Sequence, residues 1–196
     1  TEEVNFAKAP PYVSMFDGEV FYMPFDGDYR DLIGFQQATE VGAPGFAGGG
    51  FAGSDAYRGT TDAYLEFPMD NLKSNEFSAA FWYKVNSTPD RAGILVVGDD
   101  ADDRRQGFRL FREGNADEQR IKLNVGTGDG ESWNDGGVID VNAGEWVHIA
   151  ISISGTKSTI YFNGMETLSA DLAAPIDWTN CEVMTIGAGG PTFDYW

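Results

Sequence analysis

Two tryptophans lie in stretches too polar to bury easily. Trp133 stands in Gly128-Asp129-Gly130-Glu131-Ser132-Trp133-Asn134-Asp135-Gly136, and Trp178 in Ile176-Asp177-Trp178-Thr179-Asn180. Each sets a flat ring beside Asp and Asn. Such a ring packs on the C–H surface of a sugar while neighbouring polar groups meet its hydroxyls. Trp133, Trp178 and Asp135 are therefore candidate carbohydrate contacts. Arg109, with Arg112, would add polar contacts from the strand-like run Phe108–Arg112. The same rings would also serve as plugs at one end of a fold, and the arginines as solvated charges.

Other chemistries find little support. His148 is the single histidine. It alternates with Val147, Ile149 and Ile151, which gives it a structural place opposite an apolar face. There is no Gly-x-Ser-x-Gly elbow, no phosphate-cradling glycine loop and no histidine pair for zinc. Cys181 is alone, so the chain has no internal disulfide or cysteine cluster, and it reads as a small buried filler. The densest acidic run, Asp99-Asp100-Ala101-Asp102-Asp103, precedes Arg104-Arg105 and reads as a solvated loop. With 31 acidic residues against 13 basic ones, a formal charge of −18 repels phosphate backbones and anionic lipid headgroups. Nucleic acid is thereby excluded as a partner. No run approaches the ~18 apolar residues of a membrane span. Thr1-Glu2-Glu3-Val4 has neither the basic nor the apolar region of a signal peptide, as expected if one has been removed.

The elements that must position these residues are strands. In Trp146–Ser154, Val147, Ile149, Ile151 and Ile153 share one face, while His148, Ala150 and Ser152 take the other. Asn163-Gly164 separates Ser158–Phe162 from Met165–Leu168 and predicts a tight hairpin with positive φ at both positions. Further strands are expected at Val20–Phe25, Ala63–Phe67, Phe77–Val85, Gly93–Val97, Gly107–Arg112, Arg120–Val125, Val138–Val141 and Glu182–Ile186. About eleven short strands with no convincing helix specify an all-β, two-sheet antiparallel sandwich. Residues 1–18, with Ala9-Pro10-Pro11, read as a linker or arm, and residues 19–196 as one domain. The glycine-rich stretch Gly42–Gly53 reads as a loop.

These strands carry a family resemblance. Phe21-Tyr22-Met23-Pro24-Phe25-Asp26-Gly27 with Asp31 and Gly34, Asp62–Pro68, Phe77–Val85, Gly144–Ala150, Ile160–Gly164 and Ile186-Gly187 together resemble bacterial laminin-G-like domains of the concanavalin-A-like lectin/glucanase superfamily. The resemblance implies a jelly roll, and it implies that Trp82 and Trp146 are buried. Laminarinase-type glycosidases share that fold, but their strand motif Glu-x-Asp-x-x-Glu, which supplies two carboxylates to one cleft, is absent. The expected role is thus a non-catalytic module of a secreted or cell-surface bacterial protein that recognises a polysaccharide or surface glycan. The alternative is an adhesion or architectural module that binds proteins. The resemblance further implies a structural Ca2+ at Asp26, with Asp28 and Asp31 nearby. The family's closing strand has no counterpart before Trp196. Val20–Phe25 is then expected to be an open edge that further residues, the N-terminal arm or another protein chain would cover.

Overall fold

The computed structural model describes residues 12–85, 91–98, 104–140 and 143–190. Among these are fourteen strands, one short 3-10 turn at Phe51–Gly53 and no α-helix. The strands are β1 (Thr39–Val41), β2 (Gly45–Phe46), β3 (Tyr57–Arg58), β4 (Tyr64–Pro68), β5 (Phe77–Tyr83), β6 (Arg91–Val97) and β7 (Phe108–Gly114). There follow β8 (Glu118–Gly126), β9 (Glu131–Asn134), β10 (Val138–Asp140), β11 (Val147–Ile153), β12 (Lys157–Phe162), β13 (Met165–Asp171) and β14 (Val183–Ile186).

They form two principal sheets. The larger has the order β1-β4-β14-β6-β7-β8-β10, with β9 also pairing to β8, and the smaller is β13-β12-β11-β5. All pairings are antiparallel, as the two-residue alternation requires. Ile149, Ile151 and Ile153 of β11 are buried on the inner face of the smaller sheet. They meet Leu65, Phe67, Val97, Leu110, Ile121, Leu123 and Val125 from the larger sheet in one core. Burying each such side chain contributes about 1.5–3 kcal/mol. Cys181 is fully buried in that core, the filler its sequence setting suggests.

Ten of the expected strands are present, within a residue or two at their ends except β13, which runs three residues past Leu168. The Asn163-Gly164 turn has φ of 49° and 80°, and it joins β12 to β13 with Phe162 opposite Met165. Val20–Phe25, by contrast, is not a strand and enters neither sheet. Pro24 has no N–H to give to a ladder, and Phe25 sits at φ 63°, which turns the chain. The segment is held by packing instead. Met23 is buried and Phe21 meets Phe67 edge-to-face at 4.9 Å. The strand beside β4 is β1, which alternation did not announce because Thr39-Glu40-Val41 is so short. The expected open edge at Val20–Phe25, and a partner chain there, therefore fall away. Pro191–Trp196 and Asp99–Asp103 lie outside the described residues.

Trp82 also departs from expectation. Along β5, Phe77, Ala79, Phe81 and Tyr83 turn to the core, so Ser78, Ala80 and Trp82 must turn outward. Trp82 is 41% exposed and stacks on Phe51 of the glycine-rich stretch, with ring centroids 3.5 Å apart. His148 meets Trp82 across the pairing, edge-to-face at 5.2 Å. Trp146 is half-buried rather than buried.

Candidate functional site

The register of the larger sheet lines up a row of side chains on its outer face. Val96 of β6 stands opposite Arg109 of β7, Arg109 opposite Asn124 of β8, and Asn124 opposite Trp133 of β9. Directly opposed residues share a face. Two residues along the strands, Phe111 faces Lys122, and a further step on, Glu113 stands between Arg91 and Arg120. The inward neighbours Leu110, Ile121 and Leu123 fix this parity by filling the core.

β9 has the polar composition of a loop, and its hydrogen bonds explain why it is a strand. Asn134 is fully buried and donates its Nδ2 to the carbonyls of Ser158 and Leu168, 3.2 and 3.1 Å away on the smaller sheet. Ser132 Oγ donates to the Asp171 carbonyl at 2.8 Å. With Ser132 and Asn134 tied to the opposite sheet, Trp133 between them faces outward. Its ring is 37% exposed and stands edge-on to Phe111 at 5.9 Å.

These residues surround a cleft of about 270 Å³. Val96, Arg109 and Phe111 form its floor and are themselves buried. Trp133, Asp135, Lys122, Arg104, Arg91 and Glu113 form its sides. Glu113 pairs with Arg91 at 3.0 Å and with Lys122, which also pairs with Asp135 at 3.2 Å. Burial works against the Lys122 ammonium. Hydrogen bonds and charge from Glu113 and Asp135 outweigh that loss and hold Lys122 above the ordinary lysine value. The Arg104 guanidinium lies over the Trp133 ring, 5.5 Å from its centre, with the Lys122 ammonium at 6.0 Å. A second, more polar cleft of about 420 Å³ adjoins the first and shares Glu113, Lys122 and Asp135 with it.

Three of the four expected contacts, Trp133, Asp135 and Arg109, thus converge on one cleft. Trp178 does not. It packs half-buried against Phe77 and Phe108 at the end of the sandwich, and its Nε1–H donates to the Ser74 carbonyl at 3.1 Å. Arg112 turns the other way from Arg109, is buried, and donates to Gln119 Oε1 at 2.9 Å. Phe111, Lys122, Glu113, Arg91 and Arg104 were not singled out from the sequence. The outward parity of β7 and β8 is the available signal for Phe111, Lys122 and Glu113.

The carboxylates proposed for calcium are turned to other work. Asp31 is buried, and its two oxygens accept the backbone N–H groups of Tyr22 (2.8 Å), Ile33 (3.1 Å) and Gly34 (2.6 Å). Asp26 accepts from the Asp55 amide at 2.9 Å, and Asp28 from the Tyr29 amide at 2.7 Å. Amide hydrogens converging on a carboxylate present positive dipoles where a cation would sit. Among the described residues no three His, Cys, Asp or Glu are grouped to hold a metal. Asp28 also pairs with Arg30 at 3.5 Å.

A two-sheet antiparallel sandwich with an aromatic-walled polar cleft on an outer face belongs to the lectin-like class of β-proteins. The chain is a member of the concanavalin A-like lectin/glucanases superfamily, whose laminin-G type matches residues 58–196. No curated protein sequence matches it. Among solved structures it is similar to domain 4 of AbnA, an extracellular GH43 arabinanase of Geobacillus stearothermophilus, in complex with arabinotriose. That match has 19% identity and a TM-score of 0.67 over 87% of this chain and 84% of the other. It is also similar to the botulinum neurotoxin type C structure described with two ganglioside molecules, at 12% identity and TM-score 0.64, covering 89% of this chain and 44% of that one. A third is the binding domain of botulinum neurotoxin DC in complex with SialylT, at 13% identity and TM-score 0.60, covering 87% and 43%. At such identities the likeness is one of fold.

Proposed function

We propose that this domain is a non-catalytic carbohydrate-binding module of an extracellular protein, and that it takes its saccharide in the cleft beside Trp133. The observation that carries the reading is the convergence of Trp133 of β9, Asp135 just beyond it and Arg109 of β7 on one cleft with Phe111 and Lys122. A partly exposed indole beside hydrogen-bonding charges is the combination a pyranose needs, with one apolar face and a rim of hydroxyls. The adjoining cleft extends the surface toward Asn115 and Glu118, which suits an oligosaccharide rather than a single residue. Structural relatives seen with arabinotriose or described with gangliosides support the reading. The test is affinity electrophoresis of the domain through gels containing plant, algal and animal polysaccharides. Retardation in at least one gel is expected. Free migration in all of them would overturn the proposal and favour an adhesive module with protein partners.

A further inference from the structure

The cleft differs in charge from the rest of the molecule. The chain carries 31 acidic and 13 basic residues, yet the first cleft is lined by Arg91, Arg104, Arg109 and Lys122 against Glu113 and Asp135 alone. Four of the thirteen basic side chains are thus gathered around one small depression. The adjoining cleft reverses the balance, with Glu113, Glu118 and Asp135 against Arg120 and Lys122. The positive excess is therefore confined to the Trp133 end.

Within the first cleft the ion pairs account for part of the charge. Glu113 bridges Arg91 and Lys122, and Asp135 holds Lys122 from the other side. Arg104 is paired with no carboxylate among the described residues and contacts the Trp133 ring. A guanidinium that has no carboxylate partner among the described residues and lies over the aromatic ring offers a planar fork of donors to a ligand entering the cleft at that end. The carboxylates that bear on this cleft are those close to it. At physiological salt, charges beyond about 8 Å are largely screened. Residues 99–103, which precede Arg104 in sequence, lie outside the described residues.

Resting on the carbohydrate reading above, we infer that the saccharide is acidic. It carries a carboxylate or sulfate group that Arg104 receives at the Trp133 end, while the neutral part of the chain runs toward Asn115. Neutral glycans lack the one group that would use this cation.

The test is titration calorimetry with matched pairs that differ only in the charged group: oligogalacturonate and its methyl ester, 3′-sialyllactose and its carboxylate methyl ester, and chondroitin sulfate and desulfated chondroitin. The expected result is at least tenfold tighter binding of the charged member in one pair, weakening as salt rises. The first two pairs report a carboxylate and the third a sulfate. Arg104→Ala should lower affinity for the charged member roughly 10–100-fold, and by a clearly larger factor than for its neutral partner. Arg104→Lys, which keeps the charge but loses the fork, should fall between. Circular dichroism checks that each variant is folded. Equal binding of charged and neutral members, or an equal loss for both in Arg104→Ala, overturns the acidic reading and leaves carbohydrate recognition standing. No binding to any pair, together with free migration in every polysaccharide gel, overturns both.

Discussion

Trp133 and Trp178 should respond to truncation in opposite ways, and the two mutants together test the site. Trp133 is 37% exposed, with an edge-to-face contact to Phe111 and a cation over its ring. The aromatic pair contributes about 0.5–1.5 kcal/mol and the exposed cation–π contact about 0.5–1 kcal/mol. Trp133→Ala should then cost about 1–2.5 kcal/mol of stability, which for a domain of this size lowers Tm by roughly 2–10 °C. As the aromatic anchor of the cleft, it should cost about 1–3 kcal/mol of binding, or roughly a 5- to 150-fold rise in Kd. Trp178 closes the core against Phe77 and Phe108 and holds the Ser74 carbonyl. Trp178→Ala should cost about 3–4 kcal/mol of stability, from the lost packing and hydrogen bond. Its affinity should stay within about twofold when measured well below its melting temperature. Differential scanning calorimetry gives the first quantity, and titration with whichever polysaccharide retards the wild type gives the second. A folded Trp133→Ala with unchanged affinity would refute the placement of the site. So would a folded Trp178→Ala that has lost binding.

The remaining expectations concern the frame. Gly164→Val places a β-branched residue at φ 80°, where nothing crowds a Cβ but the backbone itself resists one. It should lower stability by about 1–2 kcal/mol, read from urea unfolding. Asp31→Ala would leave three amide donors without their acceptor around a buried position, and should cost about 3 kcal/mol or more. Calcium or EDTA should leave the wild-type melting temperature unchanged, because the Asp31 oxygens already face amides. Lys122 has its pKa raised by the folded state despite its partial burial, owing to Glu113 and Asp135. The stability it confers is therefore fully present below the ordinary lysine value of about 10.4 and is lost as pH rises through the higher folded value. Comparing wild type with Lys122→Met by thermal melts from pH 8 to pH 11.5 should show a difference that shrinks only at the alkaline end.

Most of the fold was legible because its strands alternate. β11 announced itself in Val147–Ile153, where every second residue is Val or Ile, and the Asn163-Gly164 turn fixed the register of its neighbours β12 and β13. The failures have two physical sources. Val20–Phe25 has the apolar content of a strand, but Pro24 removes a donor and Phe25 adopts a positive φ, so tertiary packing holds it without a ladder. The short strands β1, β2 and β3 run for two or three residues, too few to establish an alternation.

The site was legible in part, for a reason that bears on how it works. Trp133 stands out because it interrupts a polar stretch, Asp135 as a polar neighbour of its ring, and Arg109 because it interrupts an apolar run. That these three meet depends on cross-strand register, which no local window contains: Arg109 and Trp133 are brought together only through Asn124 of the strand between them. Asn134 supplies the missing constraint. A polar residue read as loop composition is instead a buried tie between the sheets, and it compels Trp133 to face outward. Trp82 shows the same logic inverted, since the inward parity of Phe77 and Phe81 leaves it no place in the core. In this fold the choice between core and binding surface is made by parity along the strand, and residue type enters only afterwards. An aromatic ring becomes a candidate contact when the polar residues beside it are the ones that turn inward.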